Sequence, residues 1–149
     1  MKVQPARKGQ SLIEVLIALG IGVLVIVALV QSLVTSIKNS QFAKNQNLAT
    51  RYSQDAVENI RSERDKLGWT AMFTTYNNKT YCIGTGDSST WTLKQPSCAV
   101  NVGVIFTREA DFSDPDGASE KLLVEVTTSW TDSSGTHSSK QNTFLTKWE

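Results

Sequence analysis

Proline is nearly missing from this chain. None occurs between Pro5 and Pro96, so the residue that breaks helices does not interrupt the stretch from Ser11 to about Lys66. Gly20 and Gly22 are the soft points in it, each costing up to ~1 kcal/mol relative to alanine. Histidine is scarcer still. His137 stands alone beside Ser138 and Ser139 in a turn-like stretch, and it reads as a surface residue rather than half of a catalytic dyad. No glycine-rich phosphate loop, metal-binding helix motif or nucleophile elbow occurs. Asp111, Asp114 and Asp116 before Gly117 faintly resemble a calcium loop, but Phe112 and Leu123 stand where an EF-hand needs carboxylates. A turn is the better reading there, with calcium left open. The sequence thus offers no catalytic, cofactor-binding or metal-ligating set. An excess of positive charge is also missing: 15 basic residues face 14 acidic ones, a net of +1. Nucleic acid is therefore not an expected partner.

Cysteine is limited to Cys82 and Cys98. In an exported domain an even pair reads as a disulfide, and closing that short loop contributes ~3 kcal/mol in the chain-entropy model. In a cytosolic protein the same residues would be two unpaired thiols. A metal site is disfavoured by the long spacing and the lack of a second pair.

What the chain has in abundance is aliphatic sequence near its start. Lys2, Arg7 and Lys8 precede Gly9-Gln10-Ser11-Leu12-Ile13-Glu14, and an apolar run follows from Val15 to Val30. Leu12 to Val34 is roughly 20 residues, about what a helix needs to cross a ~30 Å hydrocarbon layer. A carboxylate at its edge costs a few kcal/mol, so Glu14 needs a reason. Ser11-x-x-Glu14 fits a capping box, in which each side chain satisfies a backbone N–H at a helix start. Two readings of the whole segment follow from its composition. One is a secretory signal peptide, with Val34-Thr35-Ser36 as a weak cleavage site before Ile37, although the apolar run is long for it. The other is an uncleaved anchor oriented by its basic N-terminus.

A third reading comes from resemblance. Gly9, Gln10 and the Ser-Leu-Ile-Glu-Val-Leu run from Ser11 to Leu16 resemble the leader and N-terminal helix of type IV prepilins and pseudopilins. The resemblance implies that a prepilin peptidase cuts between Gly9 and Gln10 on the cytoplasmic side, leaving the apolar helix in the mature protein. It implies N-methylation of Gln10, although the family usually has Phe or Met there. It also implies that Glu14 pairs with the free amino group of Gln10 on a neighbouring subunit, since an unpaired charge in a low dielectric is strongly penalised. Many major pilins carry a proline partway along this helix; this chain has none. Loss of the leader removes three basic residues, leaving 12 against 14 acids, a net of −2.

The rest of the chain is compatible with that layout. Leu33, Val34 and Ile37, then Leu48, Ala49, Tyr52, Ala56, Ile60 and Leu67, recur at three- and four-residue steps, which predicts an amphipathic continuation of the helix. Glu58–Arg61 and Arg61–Asp65 are spaced for ion pairs, and Gly68 for a C-terminal cap. Met72–Ser97 reads as loop-rich, with short strands at Lys79–Ile83 and Thr90–Leu93. Alternation predicts antiparallel strands over Val100–Thr107, Leu122–Trp130 and Phe144–Trp148, separated by turn-forming Asp114–Gly117 and Asp132–Gly135. Trp130 and Trp148 fall on core positions, and Trp91 is the tryptophan expected to be exposed. The expected fold is α+β, a long N-terminal helix on a C-terminal antiparallel sheet, which is also the type IV pilin architecture.

The domain expectation is a leader at 1–9, a transmembrane and filament-core helix at 10–37, and an extracytoplasmic domain at 38–149. The functional expectation is a structural subunit, not an enzyme. Its partners would be other pilin subunits, in a homo- or hetero-polymer, the prepilin peptidase, the inner-membrane assembly platform and the membrane. It would start as a single-pass inner-membrane precursor and end in an extracellular filament. The alternative is a membrane-anchored, adhesin-like binding module that does not polymerise. An exported β-domain enzyme stands further off.

Overall fold

The computed structural model describes residues 10–147, without the side chains of Gln10 and Ser11. The expected leader, its Gly9, the Ser11 half of the capping box and Trp148 lie outside the described residues. Helix α1 runs unbroken over Gln10–Leu67. Helix α2 follows over Trp69–Tyr76, then strands β1 Lys79–Cys82, β2 Thr92–Leu93, β3 Thr107–Ser113, β4 Lys121–Asp132 and β5 Gly135–Thr146. The strands form one antiparallel sheet in the order β2-β1-β3-β4-β5. The α+β, pilin-like layout expected from the sequence is the one observed. The chain divides into two compact units, one ending at Ala43 and the other beginning at Lys44.

In the second unit, α1 covers one face of the sheet. Ala56, Val57 and Ile60 pack with Met72 and Tyr76 of α2 and with Ala110, Phe112, Leu122, Val124, Val126 and Leu145 of the strands. Ala49, Val102, Phe106 and Trp130 form a second cluster, with Leu48 and Tyr52 against it. Strand β4 alternates as its sequence demands: Leu122, Val124, Val126, Thr128 and Trp130 are buried and the residues between them face the other way. Small hydroxyls link helix and sheet. Ser53 Oγ lies 2.8 Å from Thr128 Oγ1, and Thr50 Oγ1 lies 3.0 Å from Ser139 Oγ. Leu67, expected on the buried stripe, is 42 % exposed, because Gly68 (φ +76°) turns the chain into α2 directly after it.

Several expectations are corrected. The strand placed at Val100–Thr107 is a tight loop, with only a Val102–Phe106 bridge. Gly103 has φ +57°, a left-handed conformation that turns the backbone, and Val104 is 89 % exposed at the loop's tip. The strand itself is β3, one step along the chain, where Arg108, Ala110 and Phe112 point inward. At the chain's end, Leu145 is buried and Phe144 exposed, so the core face of the last strand is the one that carries Leu145, not the Phe144–Thr146 face expected. Strand β5 also begins earlier, taking in His137. The loop-rich region opens inside α2, whose last residues run from Met72 to Tyr76, and its second strand shrinks to Thr92–Leu93 behind a 3₁₀ turn at Ser88–Thr90. Trp91 is buried, its ring 5.7 Å from that of Tyr76. Arg61 pairs with Glu58 at 2.8 Å as expected, but Asp65 is taken by its neighbour Arg64 at 2.8 Å.

Arg108, the one fully buried cation among the described residues, ties these pieces together. Arg108 Nη1 donates to Tyr52 O at 2.7 Å and to Asp55 Oδ2 at 3.1 Å, Nε donates to Ile83 O at 3.1 Å, and Nη2 to Gly84 O. Burial pulls the guanidinium's pKa down, and hydrogen bonding to Asp55 opposes the shift. Asn101 brackets the same residue: its amide donates to Arg108 O and accepts from Arg108 N, both at 2.8 Å.

Candidate functional site

The first unit carries the strongest functional signal. Seventeen large aliphatic side chains between Leu12 and Ile37 are all exposed, and no residue from Leu12 to Lys44 is buried. A helix apolar on every side is the signature of a membrane span or of the centre of a helical assembly. Fully burying one such side chain is worth ~1.5–3 kcal/mol, so leaving all of them in water costs tens of kcal/mol. The span is near the N-terminus, with mean hydropathy 3.0 over its most apolar window. Glu14 marks one end and Lys38 the other; the 24 residue steps from one to the other cover ~36 Å of helix axis. That matches a hydrocarbon layer with both charges at its edges.

Glu14 lies on the exposed surface of α1 and forms no hydrogen bond or ion pair with any other described residue. Its expected partner, the amino group of Gln10 on another subunit, is not a contact a single chain can display. Gly20 and Gly22 meet no neighbouring atoms where a Cβ would stand. Gln31, Ser32, Thr35, Ser36 and Asn39 on α1 line one open groove, a grouping the sequence reading did not make. Their three- and four-residue spacing was the available signal, masked by the mean hydropathy of the window.

The second unit's candidates resolve into structural roles. The Asp114 carboxylate accepts the backbone N–H groups of Asp116, Gly117 and Ser119 at 2.9–3.2 Å, closing the β3–β4 turn. Asp116 pairs with Lys121 at 3.3 Å, and Asp111 accepts from Thr80 at 2.6 Å. Among the described residues, no group of three or more His, Cys, Asp or Glu is placed to hold a metal ion. His137 Nε2 lies 3.1 Å from Asp132 Oδ1, and its ring lies 5.3 Å from that of Trp130. Asp132 also accepts Ser134 N at 2.7 Å; that backbone bond, and then His137, hold its carboxyl below the usual range. Cys82 and Cys98 form a disulfide, with Cα atoms 5.5 Å apart, and it ties the 94–98 segment to β1.

Residues 4–30 match the family model of the prokaryotic N-terminal methylation motif. No curated protein and no solved structure matches the chain.

Proposed function

We propose that this chain, whose residues 4–30 are a prepilin segment of the type IV pilin and pseudopilin kind, is a structural subunit of a type IV pilus or related filament. The motif and the N-terminal apolar helix fit a membrane-anchored precursor of the sort that prepilin peptidase processes. The finer steps belong to the proposal. The leader 1–9 stays in the cytoplasm while α1 crosses the inner membrane. The peptidase cuts between Gly9 and Gln10 and methylates Gln10. The assembly platform then collects subunits whose 10–37 segments leave lipid for one another, with the 38–149 portion outside. Lipid already covers the aliphatic surface, so apolar burial alone gives little drive for association. Pairing of Glu14 with the Gln10 amine of a neighbour supplies a register.

The observation that carries this reading is an unbroken helix, exposed and aliphatic on all sides, with one carboxylate at its entrance. A structural role for the second unit follows from what its polar groups do: they cap turns and bridge strands. N-terminal sequencing of the protein extracted from membranes tests it. The expected first residue is Gln10. A start at Ile37 would establish a signal peptide, and an intact Met1 a plain anchor of the adhesin-like kind. Glu14→Ala is expected to insert normally and to enter fibres poorly; normal incorporation would reduce Glu14 to a helix cap.

A further inference from the structure

The sheet has two edges, and they differ. At one of them β2 is only Thr92–Leu93. Pro96 follows, and the Cys82–Cys98 bond ties that segment back onto β1. A short edge with a proline beside it gives a further strand little to pair with. At the other edge β5 runs for 12 residues, Gly135–Thr146, in one register with β4 and without a bulge.

The turn decides which backbone groups of β5 are free. Ser133 and Ser134 form a two-residue loop, so the flanking Asp132–Gly135 pair exchanges both ladder bonds. Such pairs recur at every second residue, and Ser139, Gln141 and Thr143 therefore spend their N–H and C=O groups on β4. Ser138, Lys140, Asn142 and Phe144 aim theirs away from it. Among the described residues, no hydrogen bond outside the β4–β5 ladder reaches those backbone groups, and all four residues are exposed. Proteins ordinarily close a long edge with charge, proline or a bulge. The one lysine of β5, Lys140, holds its Nζ 2.5 Å from Glu125 Oε1, so its charge is answered inside the sheet.

An open groove of about 200 Å³ lies along the same rim, lined by Gln54, Val57, Glu58 and Arg61 of α1 and by Gln141, Asn142 and Thr143 of β5. On a strand added there, side chains would alternate between the two faces of the sheet. Those opposite Gln141 and Thr143 would enter the groove, whose amides and guanidinium suit a small polar group. Those opposite Asn142 and Phe144 would lie on the other face, where the exposed Phe144 ring suits an apolar one. The complement of a row of N–H and C=O groups is another extended backbone.

We propose that the outer edge of β5 is a docking site for an extended segment of another protein. The segment adds antiparallel to β5, with polar residues toward α1 and apolar ones beside Phe144. A second copy is a poor donor. Its β2 edge offers two residues. A dyad between two β5 strands would reverse one copy's α1 relative to the other's, whereas chains anchored in one bilayer point the same way. That last step uses the membrane-anchored reading; the docking edge itself does not.

Residue-resolved amide exchange of the full-length chain in detergent micelles tests it. The probe is a soluble peptide of alternating threonine and valine with lysine at both ends. In the free chain the amides of Ser138, Lys140, Asn142 and Phe144 are expected to exchange at least ~100-fold faster than those of Ser139, Gln141 and Thr143. Excess peptide should slow the first set at least ~10-fold and leave the β2 amides unchanged. Asn142→Pro removes one outward N–H and no ladder bond, so it should unfold at the wild-type temperature and lose the slowing. Ser138→Pro repeats the test should Asn142→Pro fail to fold. Slow outward amides in the free chain, slowing that grows with protein concentration alone, no response to the peptide, or an equal response in Asn142→Pro would overturn the proposal. N-terminal sequencing is blind to this edge, so the filament reading and the docking site fail separately.

Discussion

Arg108 shows how one residue decides the architecture of the second unit, the head. A buried guanidinium is tolerable only when its donors are filled, and here they reach the helix at Tyr52 and Asp55 and the end of β1 at Ile83 and Gly84. The carbonyls are the larger part of the interaction, because the Asp55 side chain is 58 % exposed while that of Arg108 is fully buried. Arg108→Met should therefore cost about 2–3 kcal/mol, because it strands the Ile83 and Gly84 carbonyls at ~1 kcal/mol or more each while Tyr52 O keeps its helical bond, a fall in Tm on the order of 10 °C. Asp55→Asn should cost under ~1 kcal/mol, as exposed ion pairs do. Thermal unfolding of both variants by circular dichroism checks this; equal losses would make the ion pair, not the carbonyls, the dominant contact.

At the scale of elements, turns and strands divide by what local sequence can encode. The Asp132–Gly135 turn was legible because its residues act on their own backbone: Asp132 accepts Ser134 N, and Gly135 takes φ +131°. Strand β4 was legible because one side is buried and period two follows. Strand β3 was not, since its inward positions include Arg108, whose burial depends on carbonyls far away in sequence. Nor was the Val100–Phe106 loop, where alternating valines mimic a strand but Gly103 bends the chain. Trp91 sits under α2, a contact no local pattern announces. The Asp132 turn also carries a pH dependence. Its carboxyl is held below the ordinary range by Ser134 N–H and His137, so the folded state binds this proton less readily than the unfolded chain does. The resulting stability is present above the unfolded carboxylate pKa of ~4 and is lost as pH falls through the lower folded value. Asp132→Asn removes this titration. The Tm gap between wild type and variant should narrow between about pH 5 and pH 2; a constant gap would mean the carboxylate's charge contributes nothing.

Across the whole molecule, the apolar span and the core share no buried residue. Every core position lies at or beyond Ala49, and everything described from Leu12 to Lys44 is exposed. The span was the most legible feature in the sequence because hydrocarbon selects composition alone. The head was less so, because a small core is closed by long-range contacts and by the Cys82–Cys98 bond. Taken together, these facts predict separability. A chain beginning at Lys44 keeps every residue of both core clusters and keeps the disulfide, so it should be soluble without detergent, monomeric by size-exclusion chromatography and cooperative in thermal unfolding. Its Tm should lie within a few degrees of that of the head in the detergent-solubilised full chain, since only a frayed helix end is added. An aggregated or non-cooperative product would mean that the first unit contributes to folding the second. In that case the span could not leave lipid for a filament without disturbing the head, and a transfer of intact folded heads from membrane to fibre would have to be abandoned.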